Sequence, residues 1–369
     1  MKLFQVKRDA LLKPLQAVGG IVEKRHTLPI LSNVLIRRKQ RGLSLVATDL
    51  EIQVSTGCEE VESDGEEIAL TVSARKLQDI LRALPEDTAT TLDLQNNRLQ
   101  VRAGKSRFNL QTLPANDFPT LADPGALLAT VSLGQGQFRE LLLLVQYSMA
   151  QQDIRYYLNG LLLVLEEEQM KLVATDGHRL SYIAGQIASQ QQKTEVILPR
   201  KAVVELGKLL EATGEPVQIE VYASQAKFRF GSVELVTKII DGKFPDYTRV
   251  IPVNYQKRIS LDRMVLLQAL QRAAILSNEK FRGVRWILTA NSLRISCTNN
   301  EQEEAQEELE VSYSGEPLDV GFNITYLLEV LNNLHEETVE CAFGDANSSM
   351  LVTVPERKEF KYVVMPMRI

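Results

Sequence analysis

An aspartate and a histidine lie two residues apart in the stretch LVATDGHRLSY, which covers residues 172–182. Asp176 and His178 follow an apolar run typical of a strand, and many hydrolases use an acid–base pair of this kind to activate a nucleophile. The sequence supplies no nucleophile beside them, because it has neither a G-x-S-x-G nor a cysteine motif. A hydrolase built on these residues would need a cluster of acids to hold a metal ion, and the sequence shows none.

The same letters, LVATD, occur again at residues 45–49, where Leu50 and Glu51 follow and no histidine is present. A segment that recurs with different neighbours is typical of a repeated structural module. We therefore interpret Asp176 mainly as part of a strand and its turn. His178 is absent from the first copy, so it stays a candidate binding residue.

Three landmarks recur in the same order along the chain. The first is a threonine at the end of an apolar strand, found at Thr48, Thr175 and Thr298. The second is an amphipathic segment, found at residues 73–84, 199–210 and 324–335. The third is an aromatic residue or methionine before a proline, found in Phe118-Pro119, Phe244-Pro245 and Met365-Pro366. This spacing predicts three similar domains, at residues 1–127, 128–256 and 257–369.

Each copy is predicted to begin with a helix, at residues 8–18, 138–149 and 262–274. In the second of these, apolar residues recur with the helical period along its whole length. Strand-like stretches rich in β-branched residues follow, then a second helix for which Ser73 is a suitable N-cap in the first copy, then alternating strands. The pattern predicts an α+β fold in which each domain packs two helices on antiparallel sheets.

The composition is that of a protein with a sizeable core, since 44% of the 369 residues are hydrophobic and 24% are charged. No apolar run approaches the roughly 20 residues of a membrane span, and the charged start MKLFQVKRDALLKPL is not a signal peptide. Cys58, Cys297 and Cys341 are too scattered for a disulfide framework or a CxxC metal site. We expect a reduced, cytoplasmic protein with no membrane contact, no metal and no cofactor.

Charge is distributed unevenly, although the formal net charge is only −5. Acids cluster outside the predicted helices, at residues 59–67, 166–168 and 301–310. Several helical segments are basic instead, at residues 7–13, 75–82, 200–208 and 257–272. Each basic helix alone fits an ordinary charged surface, but recurrence at matching positions favours a face that binds phosphates without recognising bases. The final helical segment, residues 324–335, has no Lys or Arg and breaks the pattern.

Several longer stretches resemble one protein family over essentially the whole chain. They are TLPILSN at 27–33, QDIRYYLNG at 152–160, LVATDGHRL at 172–180, DGKFPDY at 241–247, ILSNEKFRGVR at 275–285, NNEQEEA at 299–305 and YVVMPMRI at 362–369. Together they resemble the bacterial DNA polymerase III beta subunit, the sliding-clamp family.

The resemblance implies a non-catalytic protein with the DNA clamp fold. In that family two chains of three similar domains form a head-to-tail homodimeric ring, so that each chain is half of it, with helices lining the hole and sheets outside. The ring tethers polymerases to double-stranded DNA topologically and without sequence preference. The implied partners are the clamp loader complex, the DNA polymerase III alpha subunit, other polymerases, ligase and mismatch-repair proteins, which bind through linear peptides. A DNA-processing hydrolase and a scaffold that binds only proteins are the alternatives.

The resemblance also implies three sets of site residues. The DNA-binding residues are Arg25, Arg75, Gln152, Tyr156 and Tyr157, although one of the two tyrosines could be buried packing instead. The dimer interface is formed by Lys76, Phe108, Leu110, Ile275, Leu276, Glu301, Glu303 and Glu304, of which the four apolar residues could instead belong to their own domain cores.

The third set is a pocket for a mostly apolar peptide. Its residues are Arg155, Tyr157, Leu158, Thr175, Gly177, His178, Arg179, Leu180, Pro245, Val250, Ser349, Val363, Val364, Met365, Pro366, Met367 and Arg368. A glycine at position 177 would allow close backbone approach, and two pliable methionines suit a surface that accepts varied ligands. The alternative is that VVMPMRI is only the last core strand.

Overall fold

The computed structural model describes residues 2–22, 28–39, 42–58 and 67–369. Within these ranges the chain forms six α-helices: α1 (Arg8–Gly19), α2 (Ala74–Ala83), α3 (Gln135–Leu143), α4 (Arg200–Leu209), α5 (Arg263–Ala274) and α6 (Ile324–Asn333). The strands of the described residues are β1 (Lys2–Lys7), β2 (Asn33–Lys39), β3 (Gly42–Thr48), β4 (Ile52–Cys58), β5 (Ile68–Ser73), β6 (Ala89–Gln95), β7 (Arg98–Ala103), β8 (Ser106–Pro114), β9 (Leu127–Gly134), β10 (Gly160–Thr175), β11 (Arg179–Pro199), β12 (Pro216–Tyr222), β13 (Gln225–Phe230), β14 (Val233–Lys238), β15 (Lys257–Asp262), β16 (Gly283–Thr289), β17 (Ser292–Thr298), β18 (Glu304–Glu310), β19 (Leu318–Asn323), β20 (Thr338–Phe343), β21 (Met350–Val354) and β22 (Arg357–Val364).

Strand order confirms the predicted repeat and the α+β fold. In the first copy the strands run β1-β6-β7-β8 and β5-β2-β3-β4, and in the third they run β15-β20-β21-β22 and β19-β16-β17-β18. The second copy has β9-β12-β13-β14, while β10 and β11 each cover two strand positions that are separate in the other copies. The same antiparallel plan therefore occurs three times.

The contacts divide the chain into two compact units. Unit 1 contains residues 1–138 and 204–239, of which the described part forms a twelve-stranded sheet. In this sheet β4 of the first copy pairs with β14 of the second, so that Gln53 lies opposite Val236. Helices α1 and α2 bury their apolar faces, including Leu15 and Leu77, against the sheet.

Unit 2 contains residues 139–203 and 240–369. Its six-stranded sheet joins the second copy to the third through β11 and β22, which places Leu180 opposite Val363. A four-stranded sheet, in the order β18-β17-β16-β19, completes the unit, and Trp286 on it is fully buried.

The first residue of the opening helix makes an equivalent contact in every copy. The Arg8 N–H donates to the Thr88 carbonyl at 2.8 Å, and the Gln135 N–H donates to the Glu215 carbonyl at 2.8 Å. In the third copy the Arg263 N–H donates to the Glu337 carbonyl at 2.7 Å. Their side chains also match, because each bonds to backbone near the end of the second helix of its copy. The basic residues at two of these positions are thus structural.

Most predicted helix boundaries are confirmed to within two residues, but the opening helix of the second copy begins earlier than predicted, at Gln135, and also ends earlier. The predicted cap is present, since the Ser73 hydroxyl accepts from the Lys76 N–H at 3.4 Å. Helix α3 ends at Leu143, whereas the apolar stripe continues to Met149. Val145 and Met149 are nevertheless buried, because a short 3₁₀ turn carries the chain on along the core. The apolar stripe therefore predicted buried positions correctly, although the last of them lie after the end of the helix. Among the described residues, no helix has both the length and the apolar character needed to cross a bilayer.

Candidate binding sites

The turn after Thr175 is built in the same way as its copy after Thr48. The Thr175 hydroxyl donates to the Arg179 carbonyl at 2.6 Å, as Thr48 does to Ile52 at 2.8 Å. Asp176 Oδ1 accepts from the backbone N–H groups of His178 and Arg179 at 2.9 and 3.1 Å. The carboxylate of Asp176 thus organises its own turn, which confirms its architectural interpretation. Within the described ranges, no group of three or more His, Cys, Asp and Glu side chains is arranged to hold a metal ion.

Gly177 makes room for the guanidinium of Arg155. A β-carbon at this position would lie 2.9 Å from both terminal nitrogens of Arg155. The guanidinium is fixed there by Asp153, to which it donates from Nε at 3.0 Å and from Nη2 at 2.9 Å, and by the carbonyl of Asp176 at 3.2 Å. Hydrogen bonds from Arg155 hold the pKa of Asp153 down at about 2. The loop that carries Arg155 is therefore fastened to the turn that carries His178.

Arg179 is buried and engages three elements of unit 2 at once. It donates to Asp176 Oδ2 at 3.1 Å, to the Tyr147 carbonyl at 2.7 Å and to Glu329 on α6. Its guanidinium carbon lies 4.3 Å from the ring centre of Tyr326. Burial opposes the charge of Arg179, yet its surroundings, including Glu329 and Asp176, raise its pKa above the ordinary value. Because all these donors are engaged within the chain, Arg179 positions the site.

A polar cavity of about 360 Å³ lies beside this network. Sequence reasoning missed most of its lining, which includes Tyr147, Gln151, Asp153, Arg200, Tyr326 and Glu329 as well as the expected His178 and Arg179. Tyr326 and Glu329 are three residues apart and share one face of α6, a spacing that the sequence does display. Nothing in the sequence indicates that this face meets Arg179.

An apolar cluster includes Leu180, the residue that follows Arg179. Leu180 and Val363 are buried in it with Leu162, Val173 and Phe244. Tyr157, Tyr247 and Ile251 pack against the cluster and remain partly exposed. The structure thus brings together one apolar cluster from β10, β11, β22 and the segment that starts at Phe244, with partly exposed side chains packed against it.

The C-terminal segment follows Val363 of this cluster directly. Met365 is 47% exposed, and its N–H donates to the His178 carbonyl at 2.9 Å. Ser349 precedes Met350, which pairs with Val364 and so brings Ser349 beside the same edge. Val250 is 46% exposed, Leu158 is buried, Pro245 follows Phe244 directly, and Pro366 and Arg368 lie along the terminal segment. The Met367 N–H bonds to the Gly321 carbonyl at 2.8 Å, so this segment is tied to β19 as well.

The predicted DNA-binding residues divide by exposure. Arg25 lies outside the described residues. Arg75 is exposed on α2, with its Nε 3.8 Å from Asp79. Gln152 adopts a left-handed backbone (φ 54°) in the loop before Tyr156, which is 58% exposed and meets Tyr157 edge to face. Tyr156 is the more exposed of the two tyrosines, because Tyr157 packs on the apolar cluster and is only partly exposed.

The predicted interface residues also differ in exposure. Ile275, after α5, is 77% exposed and Leu276 is half-buried. On β8, Leu110 is already buried whereas Phe108 is half-buried. Lys76 on α2 and the acids Glu301, Glu303 and Glu304 are exposed.

Three copies of a domain with two helices and antiparallel sheets, joined edge to edge, define the class of DNA clamps. Family models of the DNA polymerase III beta subunit match its N-terminal domain at residues 1–122, its central domain at 132–246 and its C-terminal domain at 248–368. The chain is 45% identical to the beta sliding clamp of Pseudomonas putida over 368 residues, and 44% identical to that of Escherichia coli K12 over 366, covering 99% of this chain and all of each relative.

Solved structures agree over the whole chain. The DNA polymerase III subunit beta from Pseudomonas aeruginosa is 45% identical with a TM-score of 0.94, covering 100% of both chains. The Caulobacter crescentus pol III beta is 37% identical with a TM-score of 0.93 at the same coverage. The chain belongs to the DNA polymerase III beta subunit family, whose members are non-catalytic sliding clamps.

Proposed function

We propose that this chain acts as a sliding clamp, which closes as a head-to-tail homodimeric ring around double-stranded DNA and tethers a polymerase to it. The observation that carries the proposal is the way in which successive copies join. The fourth strand of the first copy, β4, pairs with β14 of the second, and the equivalent part of β11 pairs with β22 of the third. Each junction therefore continues one copy's sheet into the next.

Because each copy pairs with the next through an edge strand, the first and the third copy each keep, among the strands that the structure describes, one edge strand that has no partner from a neighbouring copy. In the described part of the chain, β18 of the third copy pairs only with β17, and residues 106–111 of β8 pair only with β7. A second chain would supply both missing partners, with β18 of each chain meeting β8 of the other. Two such joints close a symmetric dimer and leave no free edge at these strands.

The internal junctions also fix a register for this joint. Val236 lies opposite Gln53, and Val363 lies opposite Leu180. The equivalent positions on the free strands are Asn109 on β8 and Glu304 on β18. We therefore expect these two residues to face each other across the dimer.

The side chains beside the joint are complementary. Strand β18 has the acidic sequence EAQEELE, whereas Lys105 and Arg107 lie on or next to β8. Lys76 faces the acids Glu301, Glu303 and Glu304 in this proposal. Ile275 supplies most of the apolar gain, of about 1.5–3 kcal/mol for a fully buried side chain, with Leu276 and Phe108 adding to it. Leu110 contributes less, because it is already buried within its own chain.

A disulfide test measures the register directly. Under mild oxidation, a chain carrying Asn109→Cys and Glu304→Cys should give a covalent dimer, because directly opposed strand positions lie within disulfide reach. The control pair Asn109→Cys and Glu308→Cys is displaced by four positions, about 13 Å along the strand, and should not cross-link. Cross-linking of the control pair in preference to the first would contradict the proposed joint.

DNA contact is assigned to Arg25, Arg75, Gln152, Tyr156 and Tyr157. In support, Arg75 and Tyr156 are exposed, and the loop of Gln152 presents an amide beside an aromatic ring. Such groups contact sugars, phosphates and bases without sequence preference. The proposal includes a cytoplasmic location, because bacterial DNA is replicated there.

Partner proteins are proposed to bind the apolar cluster of unit 2 and its rim at His178, Arg155 and Met365. These partners are the clamp loader complex, the DNA polymerase III alpha subunit, other polymerases, ligase and mismatch-repair proteins, each through a linear peptide. The support is a buried apolar cluster with partly exposed side chains packed against it, together with the exposed Val250 and Met365 and the exposed polar His178 and Arg155, a combination that suits an extended peptide.

A charge at the rim tests this pocket without removing the C-terminal segment, whose Met367 contact to Gly321 also holds β19. Met365→Glu should weaken the binding of a polymerase-derived peptide at least tenfold, because a carboxylate would be desolvated against apolar side chains. Val253→Glu is the matched control, since Val253 is 76% exposed and is neither in the apolar cluster nor packed against it. Calorimetry showing equal affinities for the two variants would place the peptide elsewhere.

A further inference from the structure

Unit 1 contains a groove of about 250 Å³ that the proposed function does not use. It lies where β2, β3 and β4 of the first copy meet β13 and β14 of the second. Its floor is apolar, formed by Leu35, Val46, Phe118 and Val236. Leu35, Val46 and Phe118 form a buried cluster of their own.

Every floor position of this groove has a counterpart in the apolar cluster of unit 2. The two sites occupy equivalent junctions of the repeat, since Val236 pairs opposite Gln53 as Val363 pairs opposite Leu180. The equivalent floor residues are Leu35 and Leu162, Val46 and Val173, Phe118 and Phe244, and Val236 and Val363. The groove is therefore the counterpart, within unit 1, of the peptide pocket proposed in unit 2.

The rims of the two sites carry different chemistry. Arg37 stands where unit 2 has Val164, and Lys227 stands where unit 2 has Leu351. The groove thus keeps an apolar floor but has two cations at its rim. The rim acid Glu234 is already paired with Arg229 at 2.7 Å, so it does not cancel the positive charge.

One wall of the groove is the connection between the first two copies. Gln225 donates to the Ala122 carbonyl at 2.8 Å, and Ser224 donates to the Pro124 carbonyl at 3.0 Å. These bonds fasten the connection to the start of β13, so that it borders the floor without filling it. Room for an incoming side chain therefore remains between Phe118 and Val236.

We propose that this groove is a second peptide-binding site, which takes a linear peptide with an apolar side chain flanked by acidic residues. The apolar side chain occupies the floor, and the carboxylates pair with Arg37 and Lys227. An apolar peptide without acids suits the unit 2 pocket better, because it would cover the two cations of the groove without offering them a carboxylate. The two sites thereby select different peptides.

A photoreactive peptide tests the proposal on the full chain. The probe is a fluorescein-labelled heptapeptide of glutamates and leucines with one central benzoylphenylalanine. Its cross-links, mapped by mass spectrometry, should fall on residues 35–53, 118–124 or 225–236. By fluorescence anisotropy, the double variant Arg37→Gln with Lys227→Gln should bind the probe at least tenfold more weakly than the unchanged chain.

Lys238→Gln is the matched control, because it removes a cation from an exposed position on β14 outside the groove. It should change the affinity less than twofold. The proposal is overturned if the probe does not bind, if its cross-links fall only on unit 2, or if the control and the double variant weaken binding equally. The Met365→Glu variant should retain the groove cross-links, so failure of the unit 2 pocket and failure of the groove are distinguishable.

Discussion

The guanidinium of Arg155 lies against Gly177 and fills the space that a side chain at position 177 would need. The sequence predicted a close approach at Gly177 but could not identify the group that approaches. Backbone freedom alone does not explain the glycine, since Leu50 in the first copy adopts φ 79° and Gly177 adopts φ 89°. Asp153 holds Arg155 in place, and both residues lie in a loop that is distant in sequence from Gly177. The residues around Gly177 therefore could not predict this contact.

Substitution of Gly177 separates this contact from backbone strain. Gly177→Ala should displace Arg155 and weaken peptide binding several-fold, whereas Gly104→Ala meets nothing within 4 Å at a similarly left-handed φ of 56°. Both variants bear the penalty of about 1 kcal/mol for a side chain in the left-handed region, so the loss of unfolding free energy in Gly104→Ala measures backbone strain alone. Calorimetric affinities of the two variants for the peptide then measure the effect of displacing Arg155. An unchanged affinity for Gly177→Ala would mean that Arg155 does not shape the pocket.

At the scale of helices and strands, the sequence predicted the elements well and their charges less well. Hydrophobic periodicity and the repeat located the six helices of the described residues, and the Ser73 cap was identifiable because capping is a local interaction. Basic residues on these helices suggested a surface for phosphates. Arg8 instead donates to the Leu81 carbonyl at 2.8 Å and Arg263 to the Leu331 carbonyl at 3.0 Å, at equivalent ends of α2 and α6. The sequence shows that a residue is charged, but it does not show whether that side chain is already hydrogen-bonded to the carbonyl groups at the end of a neighbouring helix.

These two roles predict opposite phenotypes for arginines on neighbouring helices. Arg8→Gln and Arg263→Gln should each lower the unfolding free energy by about 1–3 kcal/mol, because charged hydrogen bonds to helix carbonyls are lost. Arg75→Gln should leave stability unchanged and weaken DNA contact, with a shallower dependence on salt. Thermal unfolding and DNA binding at several salt concentrations measure both. A destabilised Arg75→Gln chain would reassign that residue to the fold.

At the scale of the whole chain, the repeat was visible in the sequence and the joints between copies were not. Thr48, Thr175 and Thr298 recur at nearly constant spacing, which was enough to predict three domains. The pairing of β4 with β14 and of β11 with β22 joins residues far apart in sequence, and single-sequence periodicity specifies no long-range register. Those joints are what imply a partner for β8 and β18. The exact boundaries at 127 and 256 remain predictions.

Retention on DNA of different topology tests the clamp function most directly. The protein is loaded on a nicked circular plasmid with its clamp loader and ATP, separated by gel filtration, and the plasmid is then cut once. A topological ring should stay on the circle through a high-salt wash, be lost after cutting, and be retained if bulky proteins block both ends. Equal retention on circular and cut DNA, or loss from both in high salt, would show that the chain binds DNA by surface contact and would contradict its function as a sliding clamp.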